Sequence, residues 1–147
     1  MDKIIRKAVR TYLIEDDKVI VINYKNHDTG YYDIPGGKIN DNETADEASI
    51  REFKEETGIT ITKQNCIGHS IVEYPERIYD FDVFIVDEYS GEPLEFEENK
   101  SMWFNINDLY QEAKLFSSVE VIKYLKDNMN VKVVCDSNHK ILSINSL

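Results

Sequence analysis

One short stretch limits how this chain can fold. Tyr31-Tyr32-Asp33-Ile34-Pro35-Gly36-Gly37 carries two aromatics into a Pro-Gly-Gly break, where the backbone must turn sharply and can approach a ligand closely. A helix follows. Thr44-x-x-Glu47 is a capping-box pattern, good helix formers run on to about Thr57, and Gly58 supplies the stop. Its inward stripe is small, with Ala45, Ala48, Ile50 and Phe53 as the main apolar members.

On both sides the pattern is β-rich. Ala8 to Ile14 and Lys18 to Tyr24 flank the polar turn Glu15-Asp16-Asp17 and read as a hairpin, while Asn26 to Gly30 is polar and loop-like. Ile59 to Val72 and Tyr79 to Asp87 read as strands separated by Tyr74-Pro75-Glu76-Arg77, and Ser90-Gly91-Glu92-Pro93 marks another turn. Met102-Trp103-Phe104 is a short strand, and Ile106 to Ala113 holds a short helix. Ser117 to Asn128 reads as an amphipathic helix with Val121, Ile122 and Leu125 on one side. Val131 to Cys135 and Ile141 to Ile144 flank Asp136-Ser137-Asn138-His139 and suggest a terminal hairpin. No repeat or linker interrupts this order, which predicts one α/β (α+β) domain over residues 1–147, built on a mixed sheet, with 131–147 as a hairpin extension.

Charge narrows the function. The 147 residues hold 28 Asp and Glu against 17 Lys and Arg, a formal net charge of -11. That excludes nucleic-acid binding over a broad surface, which needs a clustered basic patch. An anionic ligand would need another neutraliser, and a divalent cation is the obvious one. The start, Met1-Asp2-Lys3-Ile4-Ile5-Arg6-Lys7, reaches no apolar core before its next charges, so it does not read as a signal peptide. No apolar run approaches membrane-spanning length, so no membrane partner is expected. Cys66 and Cys135 match no metal or redox spacing; as two reduced thiols they point to the cytoplasm.

The chemistry concentrates on the helix after Gly37. Glu52, Glu55 and Glu56 stand at i, i+3 and i+4, so three carboxylates share one face and repel one another. Read alone, they could be a solvated acidic face. Hard oxygen donors in a cluster are also what Mg²⁺, or Mn²⁺, binds, and no Cys/His zinc spacing competes. From Gly37 to Ile59 the spacing runs Gly37, five residues, Glu43, seven residues, Arg51-Glu52-Phe53, one residue, Glu55-Glu56, one residue, Gly58-Ile59. This resembles, position for position, the signature of the Nudix hydrolases, with Phe53 aromatic where an aliphatic residue is commoner. A chance match is on the order of one in ten million, which decides against a plain acidic face.

The resemblance implies a Nudix-type α/β/α sandwich in which Glu52, Glu55 and Glu56 bind Mg²⁺ (Mn²⁺ possible) and take the catalytic roles. It also implies water attack on a phosphorus of a nucleoside-diphosphate-linked substrate. Bound ions can neutralise phosphate charge, lower the pKa of water and align attack. Any of the face carboxylates could serve as the base. By the same comparison Glu43 and Arg51 look structural, through an ion pair that fixes the helix against the loop. Tyr31 to Gly37 resembles the family's aromatic-x-x-Pro-Gly-Gly entry, which makes Tyr32, Asp33, Gly36 and Gly37 candidate substrate contacts. Glu98, five residues before Trp103, matches the place of an additional metal-binding or catalytic glutamate.

The likeness covers roughly residues 5 to 128 and leaves the terminal hairpin out. An isolated hairpin is marginal in water, so it should dock on this chain's own sheet edge, its helix or a second subunit, as a monomer or a homodimer. His27, His69 and His139 stand isolated, and Tyr74, Pro75 and Tyr79 resemble substrate markers of other members only weakly. Three functions stay open: a MutT-like nucleoside triphosphate pyrophosphohydrolase, an ADP-ribose or nucleotide-sugar pyrophosphatase, and a nucleotide-sensing domain without turnover. The intact carboxylate set favours an enzyme.

Overall fold

The computed structural model describes residues 3–24, 31–112, 114–115 and 117–147; the stretch expected to loop at Asn26 to Gly30, with His27, lies outside them. In chain order the strands are β1 (Ile4–Tyr12), β2 (Ile14–Glu15), β3 (Lys18–Tyr24), β4 (Tyr31–Asp33), β5 (Gly36–Lys38), β6 (Thr60–Glu73), β7 (Arg77–Ser90), β8 (Asn99–Asn105), β9 (Lys114–Leu115), β10 (Met129–Cys135) and β11 (Ile141–Ser146). The helices are α1 (Ala45–Thr57), α2 (Ile106–Glu112) and α3 (Ser117–Glu120), the last running into a 3₁₀ turn at Val121–Tyr124. Two mixed sheets carry the α/β fold. The larger has the order β11-β10-β6-β7-β1-β5, with β1–β7 and β6–β10 parallel. In the smaller, β3 pairs with β2, β4 and β8, and β9 adds in parallel to β4.

Alternation along β1 separates two cores. Ala8 and Tyr12 face a large core with Val19, Val21, Val83 and Val133, while Val9 faces Ala48 and Phe84 on the side of α1. Phe53 of α1 fills a third cluster with Leu13, Ile20, Ile59 and Val86. Its full burial contributes roughly 1.5–3 kcal/mol. That anchor sets α1 against β1, β5, β6 and β8 at once.

Three sequence expectations are corrected. The hairpin expected from Ala8 to Tyr24 shrinks to two residue pairs, Ile14↔Val19 and Glu15↔Lys18. Both edges of β1 are already taken, by β7 and β5, so the chain changes sheet at Leu13. Ile50 of the expected inward stripe is 39% exposed; Ser49 and Thr57 are buried in its place. Their hydroxyls are satisfied, Ser49 by Thr11 and Gln64 at 2.7 Å each, and Thr57 by Phe53 O at 2.6 Å. The helix expected over Ser117 to Asn128 stops at Tyr124. Serines and β-branched Val119, Val121 and Ile122 are weak helix formers. Leu125 is extended, and Asn128 takes φ 60 to launch β10 along β6. The terminal hairpin docks in cis: β10 is an inner strand of the larger sheet and β11 covers its outer edge.

Candidate active site

The site is assembled on the seam between β1 and β5. Gly36 and Gly37 pair with Arg10 and Val9, and Thr11 N–H donates to Pro35 O at 2.9 Å. A Cβ on Gly36 would stand 2.0 Å from Val9 O, so only glycine lets β5 close on β1. A Cβ on Gly37 would stand 2.6–2.7 Å from the Glu52 carboxylate. The two glycines thus slide a bare backbone under the acidic face of α1.

The helix is fixed at both ends. The Thr44 hydroxyl accepts from Glu47 N–H and the Glu47 carboxylate accepts from Thr44 N–H, each at 3.1 Å. Gly58 closes the other end at φ 81, its N–H on Lys54 O. Arg51 ties the helix to the loop before it. Its Nε and Nη2 donate to the two Glu43 oxygens at 2.7 and 2.9 Å, and Nη2 also donates to Lys38 O at 3.0 Å. Those bonds, with that of Asn40 N–H, hold the Glu43 carboxyl down at about 2.

The carboxylates on the face differ in environment. Glu56 turns inward: Oε1 accepts from Gly36 N–H at 2.9 Å and Oε2 from the Tyr24 hydroxyl at 3.2 Å. Burial pushes its pKa up to about 7. Burial also pushes the Tyr24 phenol up, which keeps it a donor. Glu52 is raised by burial too, against the Arg51 Nη1 donor at 2.8 Å. Glu55 is 58% exposed, 3.3 Å from the same Nη1. Arg51 therefore stands between Glu52 and Glu55 while Glu56 is drawn to the backbone. Among the described residues no three carboxylate, imidazole or thiol groups gather as they would around an ion.

The remaining expected residues lie nearby. Glu98 is exposed, and its neighbour Asn99 donates to Glu56 O at 2.7 Å, which ties that loop to the end of α1. Tyr32 is half-buried with its ring 4.8 Å from Phe104, as core filler would be. Asp33 is buried, accepts from Ile34 N–H at 2.8 Å and from the Ser118 hydroxyl, and pairs with Arg10 Nη2 at 3.5 Å. Burial pushes its carboxyl up against those partners.

Beyond Gly37 and Asp33 opens a cleft of about 560 Å³; of its lining, sequence reasoning touched Tyr74 and Tyr79 only weakly and missed Arg10, Arg77, Phe81 and His139. Arg10, Tyr74, Arg77, Tyr79, Phe81 and His139 line it. A signal was available in part: Arg77, Tyr79 and Phe81 alternate along a strand and share a face. His139 gives none, because only the pairing of β10 with β6 carries it there.

A family model described as NUDIX domain matches residues 5–125. The chain belongs to the Nudix family. Among similar Nudix and related proteins is an 8-oxo-dGTP diphosphatase of Proteus vulgaris, 37% identical over 71 residues, which are 48% of this chain and 63% of that one. The chain therefore spans less than two thirds of that relative's length. An ADP-ribose pyrophosphatase of Methanocaldococcus jannaschii is 32% identical over 123 residues, 79% of this chain and 70% of that one. In fold, this Nudix chain matches a MutT protein of Bacillus halodurans with a TM-score of 0.80 at 18% identity, covering 96% of this chain and 97% of that one.

Proposed function

We propose that this Nudix chain is a Mg²⁺-dependent pyrophosphohydrolase of MutT type, acting on nucleoside triphosphates. The observation that carries the reading is the bare Gly36–Gly37 backbone packed against Glu56 and Glu52 at the mouth of a cleft. The donor set is all hard carboxylate oxygen, which fits Mg²⁺ and also Mn²⁺. Glu52, Glu55 and Glu56 would hold the ions, with Glu98 beside them. Bound there, a divalent ion supplies charge neutralisation for the diphosphate and acidifies water.

The chain's own residues do the rest. Arg51 positions Glu52 and keeps the loop on the helix. Gly36 N–H and the Tyr24 hydroxyl orient Glu56. Gly36 and Gly37 let the diphosphate approach the backbone, with Asp33 at the entry and Tyr32 beside it on β4, and Arg10 and Lys38 face the cleft with positive charge. In the reaction a water oxygen bonds to phosphorus, the bridging P–O bond breaks, and the water's proton passes to a face carboxylate.

A second reading, an ADP-ribose or nucleotide-sugar pyrophosphatase, is favoured by the Methanocaldococcus relative, which covers more of this chain. The placement of Pro75 between cleft residues Tyr74 and Arg77 adds to it. We read the chain as one domain, acting in the cytoplasm: both cysteines are free, and among the described residues no helix is long and apolar enough to cross a membrane.

Phosphate release over a panel of nucleotides, coupled to pyrophosphatase, tests the assignment. EDTA should abolish turnover, and Glu55→Gln or Glu56→Gln should lose at least about 100-fold, or ~2.7 kcal/mol. Undiminished turnover in both variants would sink the assignment. Preference for ADP-ribose selects the second reading, and nucleotide binding without any turnover makes the chain a sensing domain.

A further inference from the structure

One row of side chains crosses the cleft. Arg77, Tyr79 and Phe81 share a face of β7. Arg10 from neighbouring β1 lies over the Phe81 ring, its Cζ 4.5 Å from the centroid. Phe81 stacks on Tyr79 at 5.6 Å and 15°. The Cζ of Arg77 lies 5.4 Å from the ring centroids of both Tyr79 and Tyr74. Tyr74 then meets His139 of the β10–β11 turn edge-on at 5.2 Å, with the His139 Nδ1 3.1 Å from its hydroxyl.

The two guanidiniums in this row are not equivalent. Arg10 pairs with Asp33 and donates to Ile34 O at 3.3 Å. The Nε of each arginine is buried without an acceptor, but Arg77 alone has no acidic partner among the described residues, and its planar group is held by two ring faces. A guanidinium on a cleft wall with no carboxylate against it is suited to an acceptor from outside the protein. Rings fix the group in place, and no internal carboxylate competes for its free edge.

Position says what that acceptor belongs to. Arg77 is level with Ile4 on β1, whereas Phe81 is level with Ala8, next to the Gly37 seam. Four residues of strand separate the two ends, about 13 Å. If the diphosphate lies at the glycine end, as the proposed function requires, Arg77 stands where the nucleoside reaches. There Tyr74 and Tyr79 meet edge-on, centroids 6.0 Å apart at 88°, and a ring face beside Arg77 offers a flat base one wall to lie on. The arginine fork matches the O6 and N7 acceptors of a guanine-type base, while adenine presents an amino donor at that edge.

We propose that Arg77 reads the O6/N7 edge of a guanine-type base, and that His139, set against Tyr74, forms the wall that confines it. The specificity wall is then supplied by the C-terminal hairpin, which lies beyond the residues 5–125 that match the family. The inference rests on the nucleotide-hydrolase reading but can be tested without turnover.

Calorimetric titration of GMP and AMP into the full chain in EDTA is the test. Arg77→Gln should weaken GMP at least tenfold and AMP less than threefold. Arg77→Lys, which keeps the charge and the stem but not the fork, should show the same selective loss; thermal melts of both variants check that they fold. His139→Gly, chosen because φ is 65 at that position, should weaken GMP and AMP by a similar factor. Unchanged GMP binding in both Arg77 variants, or wild-type protein that binds neither nucleotide, overturns the proposal. Equal losses for GMP and AMP also overturn it, because Arg77 would then be reading the shared phosphate. If the selective pattern holds while no nucleotide is turned over, only the hydrolase reading fails.

Discussion

Glu56 is the residue in which fold and chemistry conflict most directly. Its carboxylate is buried between Gly36 N–H and the Tyr24 hydroxyl, and burial lifts its pKa from 4.5 to about 7. The folded apo protein therefore holds this proton more tightly than the unfolded chain does. Stability from this group is intact below about pH 4.5 and is lost as pH rises through 7, by on the order of 3 kcal/mol at pH 8. Gln at this position keeps an oxygen for Gly36 N–H and carries no charge. In EDTA, Glu56→Gln should melt above wild type at pH 8, and the gap should close at pH 4.5. A gap that does not change with pH would mean that packing and hydrogen bonding of the amide, and not the charge of this carboxylate, set the difference.

At the scale of elements, the β1–β5 seam and α1 act as one unit, and the two glycines in it do different work. The Gly36 Cβ would strike backbone, Val9 O, whereas that of Gly37 would strike the far end of the Glu52 side chain, which can swing away. Gly36→Ala should thus destabilise the fold by about 1–3 kcal/mol through forced separation of the strands. Gly37→Ala should cost less in a melt and more in turnover, since it displaces Glu52. Equal melting losses for the two would show that β5 itself is not rigid there. This unit was legible in the sequence because its signals are local: a capping box, a Gly stop, and carboxylates at helical spacing. What was not legible depends on partners distant in sequence. Nothing near Leu13 announces that β1 will be claimed on both edges by β7 and β5. Hydrophobicity alone points Ile50 inward, yet the hydroxyls buried instead, at Ser49 and Thr57, find partners at 2.6–2.7 Å. The helix at Ser117 is cut short by where β10 has to start. Glu52, Glu55 and Glu56 were identifiable as a set, but the placement of Arg51 between two of them was not.

For the whole molecule, the order β11-β10-β6-β7-β1-β5 makes the terminal hairpin part of the larger sheet, with His139 on the cleft wall, and not an appendage. Val131 and Val133 are buried, each contributing roughly 1.5–3 kcal/mol, and Cys135 is buried beside them. Deleting residues 131–147 should lower the melting temperature and, by baring most of the paired edge of β6, produce aggregates in light scattering, while α1 keeps its carboxylates. A truncated chain that stays monomeric with an unchanged melt would show that the hairpin adds nothing to the core. The same strand order has a consequence for how the protein is born. β6 pairs at once with β7, its immediate successor, and β7 with β1, which precedes both. The outer partner of β6 arrives only after residues 74–128 have been made. A chain growing from its N-terminus therefore carries a finished carboxylate helix beside an unfinished cleft, and the margin of β6 stays open to any strand that reaches it until β10 has emerged.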